Sequence, residues 1–158
     1  MTEAPTVNQF VVRLLDSTHA TLSRSVEGLA DEQLWYRVSA DANSIAWLAW
    51  HYSRWADGMT AKAVGEEDTW VSENWYGLFG LSAAANGFGD TSDQVDAFRP
   101  SGHLVMGYAS AVHDACVRRV EGLSPQQILA PFQYKQWSPI RPLWQSLGNT
   151  VMDFTQHV

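Results

Sequence analysis

Three side chains in this sequence have the types and spacing of a cation site: His51, Asp153 and His157. Asp153 and His157 are four residues apart, and on a helix such residues face the same side with Cβ atoms about 6 Å apart. The pair could therefore grip one ion. At 100° per residue His51 lies about 60° around its helix from Leu48, and His157 about 60° from Phe154, so each histidine sits at the edge of an apolar stripe. Two imidazoles and one carboxylate suit a divalent transition metal, zinc or nickel, with positions left open for water or substrate. The pattern alone favours a plainer reading, in which both histidines are half-buried and satisfied by neighbours and Asp153 is solvated.

The elements that must position these residues are four long helices. Helix-period apolar stripes run over residues 7–27 (Val11, Leu15, Leu22, Val26) and, after the N-cap residue Ser44, over 44–64 (Ile45, Leu48, Tyr52, Trp55, Met59). Two more follow, over 101–121 (Leu104, Tyr108, Val112, Ala115) and 142–157 (Leu143, Leu147, Val151, Phe154), the last with Pro142 in its first turn. No strand-like alternation persists. Residues 65–100 form a long connection rich in aromatics (Trp70, Trp75, Tyr76, Phe79, Phe88, Phe98), which reads as a packed cover. Thr91 and Gln94 have capping-box spacing for a short helix within it. Connections of these lengths predict an all-α, up-down-down-up four-helix bundle over residues 1–158 as one domain. The second and fourth helices are then antiparallel. At 1.5 Å per residue His51 lies about 10 Å along its helix and His157 about 22 Å along the other, nearly the same height in a pair about 30 Å long.

Composition narrows the function. The chain has 158 residues, 46% of them hydrophobic, and carries eight tryptophans, enough to build a core and to argue against disorder. A formal net charge of −7 disfavours nucleic acid and anionic membranes as partners. The single cysteine, Cys116, cannot form an intrachain disulfide. The start Met-Thr-Glu-Ala-Pro has neither the basic region nor the apolar run of a signal peptide, and the apolar stretch Ile45–Trp50 is too short to span a bilayer. A cytoplasmic location is expected.

The run Asn43-Ser44-Ile45-Ala46-Trp47-Leu48-Ala49-Trp50-His51 resembles the first-histidine segment of the DinB-like superfamily. Gly87-Phe88-Gly89-Asp90-Thr91-Ser92-Asp93-Gln94-Val95 is similar to the middle connection of one of its branches. Met152-Asp153-Phe154-Thr155-Gln156-His157 is similar to its last histidine motif, and Gly28-Leu29-Ala30-Asp31-Glu32-Gln33-Leu34 also fits. The resemblance implies a metal-binding four-helix bundle whose ligands are three histidines. His51 and His157 match the first and the last, and Asp153 stands at the middle ligand position. Family members usually continue beyond the last histidine with Gly-Gln and further helix, whereas Val158 follows His157 here. The resemblance further implies a metal-dependent transferase or hydrolase acting on a small electrophile with a low-molecular-weight thiol such as mycothiol or bacillithiol. The competing reading is a non-catalytic bundle, a small-ligand or partner-binding module that kept the fold and lost the metal.

Other residues are weaker candidates. His103 and His113 read as solvent-facing, His19 as a packed histidine, Cys116 as inert packing, and Tyr52 and Trp55 as core. The Gly87-x-Gly89 pair lacks the strand and lysine of a phosphate loop. Trp50 falls about 160° from Leu48, opposite the apolar stripe. Either the 65–100 connection or a second subunit must cover it, and the expectation taken here is a homodimer contact at this helix.

Overall fold

The computed structural model describes residues 4–157 and, of residues 155–157, the backbone only. Four long helices carry the fold: α1 (Val7–Val26), α3 (Ile45–Val64), α7 (Gly102–Glu121) and α9 (Leu143–His157). Between them lie the short helices α2 (Asp31–Trp35), α4 (Thr69–Ser72), α5 (Trp75–Phe79), α6 (Ser92–Ala97) and α8 (Pro125–Leu129). A two-residue antiparallel ribbon pairs β1 (Pro131–Phe132) with β2 (Arg141–Pro142). A ribbon this short cannot show alternation in sequence, which is why only helix was expected. It also places Pro142 just ahead of α9 instead of in its first turn.

Local chemistry sets the helix starts. The Thr6, Ser44 and Ser101 side chains each accept from a backbone N–H in the first turn of α1, α3 and α7. Gly65 ends α3 in the left-handed conformation, φ 74°. The helix directions follow from cross-helix contacts. The Asn8 amide donates to the Val120 carbonyl, and His113 meets Asp16, so α1 and α7 are antiparallel. Arg54 reaches Tyr108 and Thr60 reaches Cys116, so α3 and α7 are parallel. The ribbon leading into α9 meets Lys62 at the end of α3 through the Tyr134 carbonyl, and Phe154 near the other end of α9 packs on Tyr52 towards the start of α3. The bundle is therefore up-down-down-up, with α3 and α9 antiparallel, as the connection lengths suggest.

Helix α3 departs from the expected amphipathic pattern. Its buried residues include Ala46, Trp47, Ala49, Trp50, Tyr52, Ser53, Arg54, Ala56, Asp57, Met59, Thr60 and Ala61, which together occupy every side of the helix. Ile45, assigned to the apolar stripe, is exposed. Trp50, assigned to the outside, is only 2% exposed. It packs against Trp70 and Phe98 of the chain's own connection, with ring centroids 5.9 and 4.9 Å away. Trp50 is thus covered from within, and the homodimer contact expected there loses its residue. Periodicity placed it outside because the stripe rule presumes one buried face, and this helix has a second one under the cover.

A charge cluster fastens that cover. Asp57 is fully buried and its carboxylate accepts from the backbone N–H groups of Thr69 and Trp70, both at 2.9 Å, capping α4. Arg119 donates to it at 2.9 Å and the Tyr108 hydroxyl at 3.0 Å, with the Arg54 guanidinium 3.6 Å away. Burial and the adjacent Asp57 charge push the Tyr108 hydroxyl well above its ordinary range, so it stays a donor. Removing one partner of such a cluster leaves buried charge uncompensated. Asp57→Asn is expected to lower unfolding stability by about 3–5 kcal/mol, read by denaturant titration; a loss under about 1 kcal/mol would show that the cluster is not a fastening.

His113 is not simply solvent-facing. It stacks on His19 at 4.5 Å and bonds Asp16 at 2.8 Å, joining α1 to α7. Burial, then the His113 charge, lower the His19 pKa from its ordinary 6.5. The neutral form is the one favoured in the folded state. The associated stability is therefore complete above pH 6.5 and is lost as pH falls through the depressed native value. His19→Gln is expected to reduce the loss of stability between pH 8 and pH 5, measured by urea melts at both; an unchanged pH difference would contradict the assignment.

Candidate functional site

The His51 ring stands on α3 where that helix passes under the Asn86–Gly89 turn. Its Nδ1 lies 2.5 Å from the Asn86 carbonyl oxygen. A carbonyl only accepts, so the neutral ring carries its proton on Nδ1 and keeps its lone pair on Nε2. One face of the ring stacks on Trp47, one turn earlier, at 4.6 Å. Trp47 is held in turn by its indole N–H, which donates to Asp90 at 2.9 Å. The turn itself is anchored to the charge cluster. Arg54 donates to the Ala85 carbonyl at 2.9 Å, one residue before Asn86, and pairs with Asp68 at 3.3 Å. Although burial works against its charge, Tyr108 and the two carboxylates hold the Arg54 pKa above its ordinary value.

Gly87 is what lets the turn come so close. Its φ is +81°, and a Cβ there would lie 2.7 Å from His51 Nδ1 and 2.7 Å from Trp47 Cζ2. The glycine that resembled a fragment of a phosphate loop is therefore a spacer for an imidazole. On the outer side of the turn, Phe88 stacks on Trp137 at 5.3 Å, and Trp137 approaches Trp55 at 6.3 Å. Phe88 and Trp137 are both well exposed. An aromatic rim thus flanks the α3 face that carries His51 and Trp55.

The fourth helix reaches the same height. Tyr52 and Phe154, each next in sequence to a candidate ligand, pack ring to ring at 4.8 Å. The α3 and α9 segments bearing His51 and Asp153 are thereby brought side by side. Asp153 is half-buried. The His157 side chain, the third member of the expected trio, lies outside the described residues. Among the described residues no group of three His, Cys, Asp or Glu side chains could hold a metal ion. Cys116 is excluded as a nucleophile: it is buried, bonded to Thr60 at 3.2 Å, and burial pushes its thiol up to about 12. His103 is exposed, as expected. Among the described residues no helix is long and apolar enough to cross a membrane.

A four-helix bundle in this order, with a histidine on its second long helix beside the residue that packs on the fourth, defines a class. The chain belongs to the DinB superfamily, whose family model matches residues 14–157. Among solved structures it is similar to a conserved protein from Enterococcus faecalis, 18% identical, with a TM-score of 0.85 over 98% of this chain and 92% of that one. That likeness is one of fold. Among curated proteins none matches the chain.

His51 is half-buried, as the sequence suggested, but sequence reasoning missed Asn86, whose contribution is a backbone carbonyl and so leaves no residue-type signal. Gly87→Ala tests the arrangement. It is expected to cost about 1–3 kcal/mol, from overpacking and the left-handed backbone together, and to shift the His51 ring resonances. A variant with unchanged stability and unchanged ring resonances would show that the close approach is not needed.

Proposed function

We propose that this protein is a divalent-metal-dependent enzyme that uses a low-molecular-weight thiol on a small electrophilic substrate, with His51, Asp153 and His157 holding the ion. The observation that carries the reading is the 2.5 Å contact between His51 Nδ1 and the Asn86 carbonyl. Metal-binding histidines characteristically donate their second ring N–H to a carbonyl or carboxylate, which fixes tautomer and orientation and raises the basicity of the ligating nitrogen. Three further features agree with it: the ring held between Trp47 and the turn, the family membership, and the adjacency of α3 and α9 at this height. Two imidazoles and a carboxylate suit zinc or nickel, and Asp153 supplies oxygen where the family pattern has nitrogen. The chemistry such a cation supplies when bound is acidification of a thiol or a water.

The chain's own residues would position and shelter. His51 is locked in one tautomer by Asn86, and the Phe88–Trp137 rim screens one flank of the site from solvent. The thiol, mycothiol-like or bacillithiol-like, and the cytoplasmic setting belong to this proposal. So does the homodimer, which would use a face other than Trp50.

Metal analysis tests it. Protein purified without chelator is expected to carry about one zinc or nickel per chain, and His51→Ala to carry almost none while keeping its helical circular dichroism. Wild-type protein that neither retains nor takes up either metal would leave the chain a non-catalytic bundle.

A further inference from the structure

The cover over α3 is not solid. It holds a half-open cavity of about 600 Å³ whose one contribution from α3 is Trp50. Leu78, Phe79, Phe98 and Leu104 supply apolar walls, with Asp90 and Gln94 among the polar groups around it. That volume is ordinary for a small-molecule site. Neither His51 nor Asp153 lines it, so it is separate from the candidate metal site.

The Trp50 N–H is the only buried side-chain polar atom among the described residues that has no hydrogen-bond partner. Buried tryptophans usually satisfy this donor, and the other two buried ones do so, Trp47 on Asp90 and Trp70 on the Ser82 carbonyl, as does the half-buried Trp35 on the Pro100 carbonyl. An unmet donor on a residue lining a cavity calls for an acceptor from outside the chain. The charges nearby call for nothing: Asp90 already accepts from Trp47, and Arg99 pairs with Asp96 at 3.2 Å.

We propose that this cavity binds a small uncharged molecule with an apolar body and one hydrogen-bond acceptor, a ketone or amide carbonyl, seated on the Trp50 N–H. Trp50 is only 2% exposed, so the acceptor reaches the N–H as the cover gives slightly. Around the cavity the cover consists of turns and the helices α5 and α6, of five and six residues, which have few internal hydrogen bonds to resist such a shift. The proposal does not rest on metal binding and holds for a metal-free chain.

Acetophenone is the probe and ethylbenzene, the same shape without the carbonyl, its control. The readout is the Trp50 indole N–H resonance of the ¹⁵N-labelled full chain, assigned by its absence in Trp50→Phe. Acetophenone at millimolar concentration is expected to move it downfield and saturably, and ethylbenzene not to. Trp50→Phe should weaken acetophenone about five-fold while leaving ethylbenzene binding unchanged, the share expected of one hydrogen bond. Ala97 is an exposed α6 residue on the cavity wall, so Ala97→Trp should fill the space with the fold intact and abolish binding of both. The proposal is overturned if acetophenone produces no saturable shift, if ethylbenzene shifts the resonance equally, or if Ala97→Trp binds like wild type.

Discussion

One buried carboxylate organises this molecule. Asp57 collects hydrogen bonds from α4, from Arg119 and Tyr108 on α7, and lies beside Arg54 of its own helix. A carboxylate is costly to bury, and it is tolerable only where each oxygen is well met by donors and positive charge. That requirement fixes where the connection between α3 and α7 begins, because Thr69 and Trp70 must present their backbone N–H groups to it. It also reaches the candidate site. Arg54, drawn into the cluster, holds the Ala85 carbonyl, and the next residue supplies the carbonyl on which His51 rests. The tautomer of His51 is thus linked, through Arg54 and a short stretch of backbone, to a charge cluster in the core.

The long helices were legible because each repeats its apolar stripe over several turns. The bundle order was suggested by the connection lengths, the middle one being the longest and able to run the length of the bundle. The charge cluster was not, since Asp57 and Arg119 are 62 positions apart and nothing local pairs them. The hint was compositional: Arg54 and Asp57 interrupt an otherwise apolar, aromatic helix. Trp50 was misplaced for a related reason. Helical periodicity reports one buried face, whereas this helix is enclosed by the bundle on one side and by its own cover on the other.

The site was legible in proportion to how much of it is side chain. The two histidines and Asp153 stand out by type and spacing, and the ring contact of Tyr52 with Phe154 sets the neighbouring His51 and Asp153 at adjoining positions along α3 and α9. What orients His51 was not, because a backbone carbonyl looks alike in every sequence and Gly87 matters for the side chain it lacks. His113 shows the same limit: its angle on α7 points outward, yet His19 and Asp16 come from another helix to meet it.

The partners of Asp57 also differ in how far the chain must travel to deliver them. Thr69 and Trp70 lie 12 and 13 residues away, Tyr108 and Arg119 lie 51 and 62. Closing the longer loop costs about 1.5 kcal/mol more in chain entropy than closing the shorter. The corner between α3 and α4 can therefore form first around a carboxylate still open to water, with α7 arriving later to take up the remaining charge. Loop entropy thus favours the α3–α4 corner as the first part of the Asp57 cluster to close, with burial of the carboxylate completed by α7.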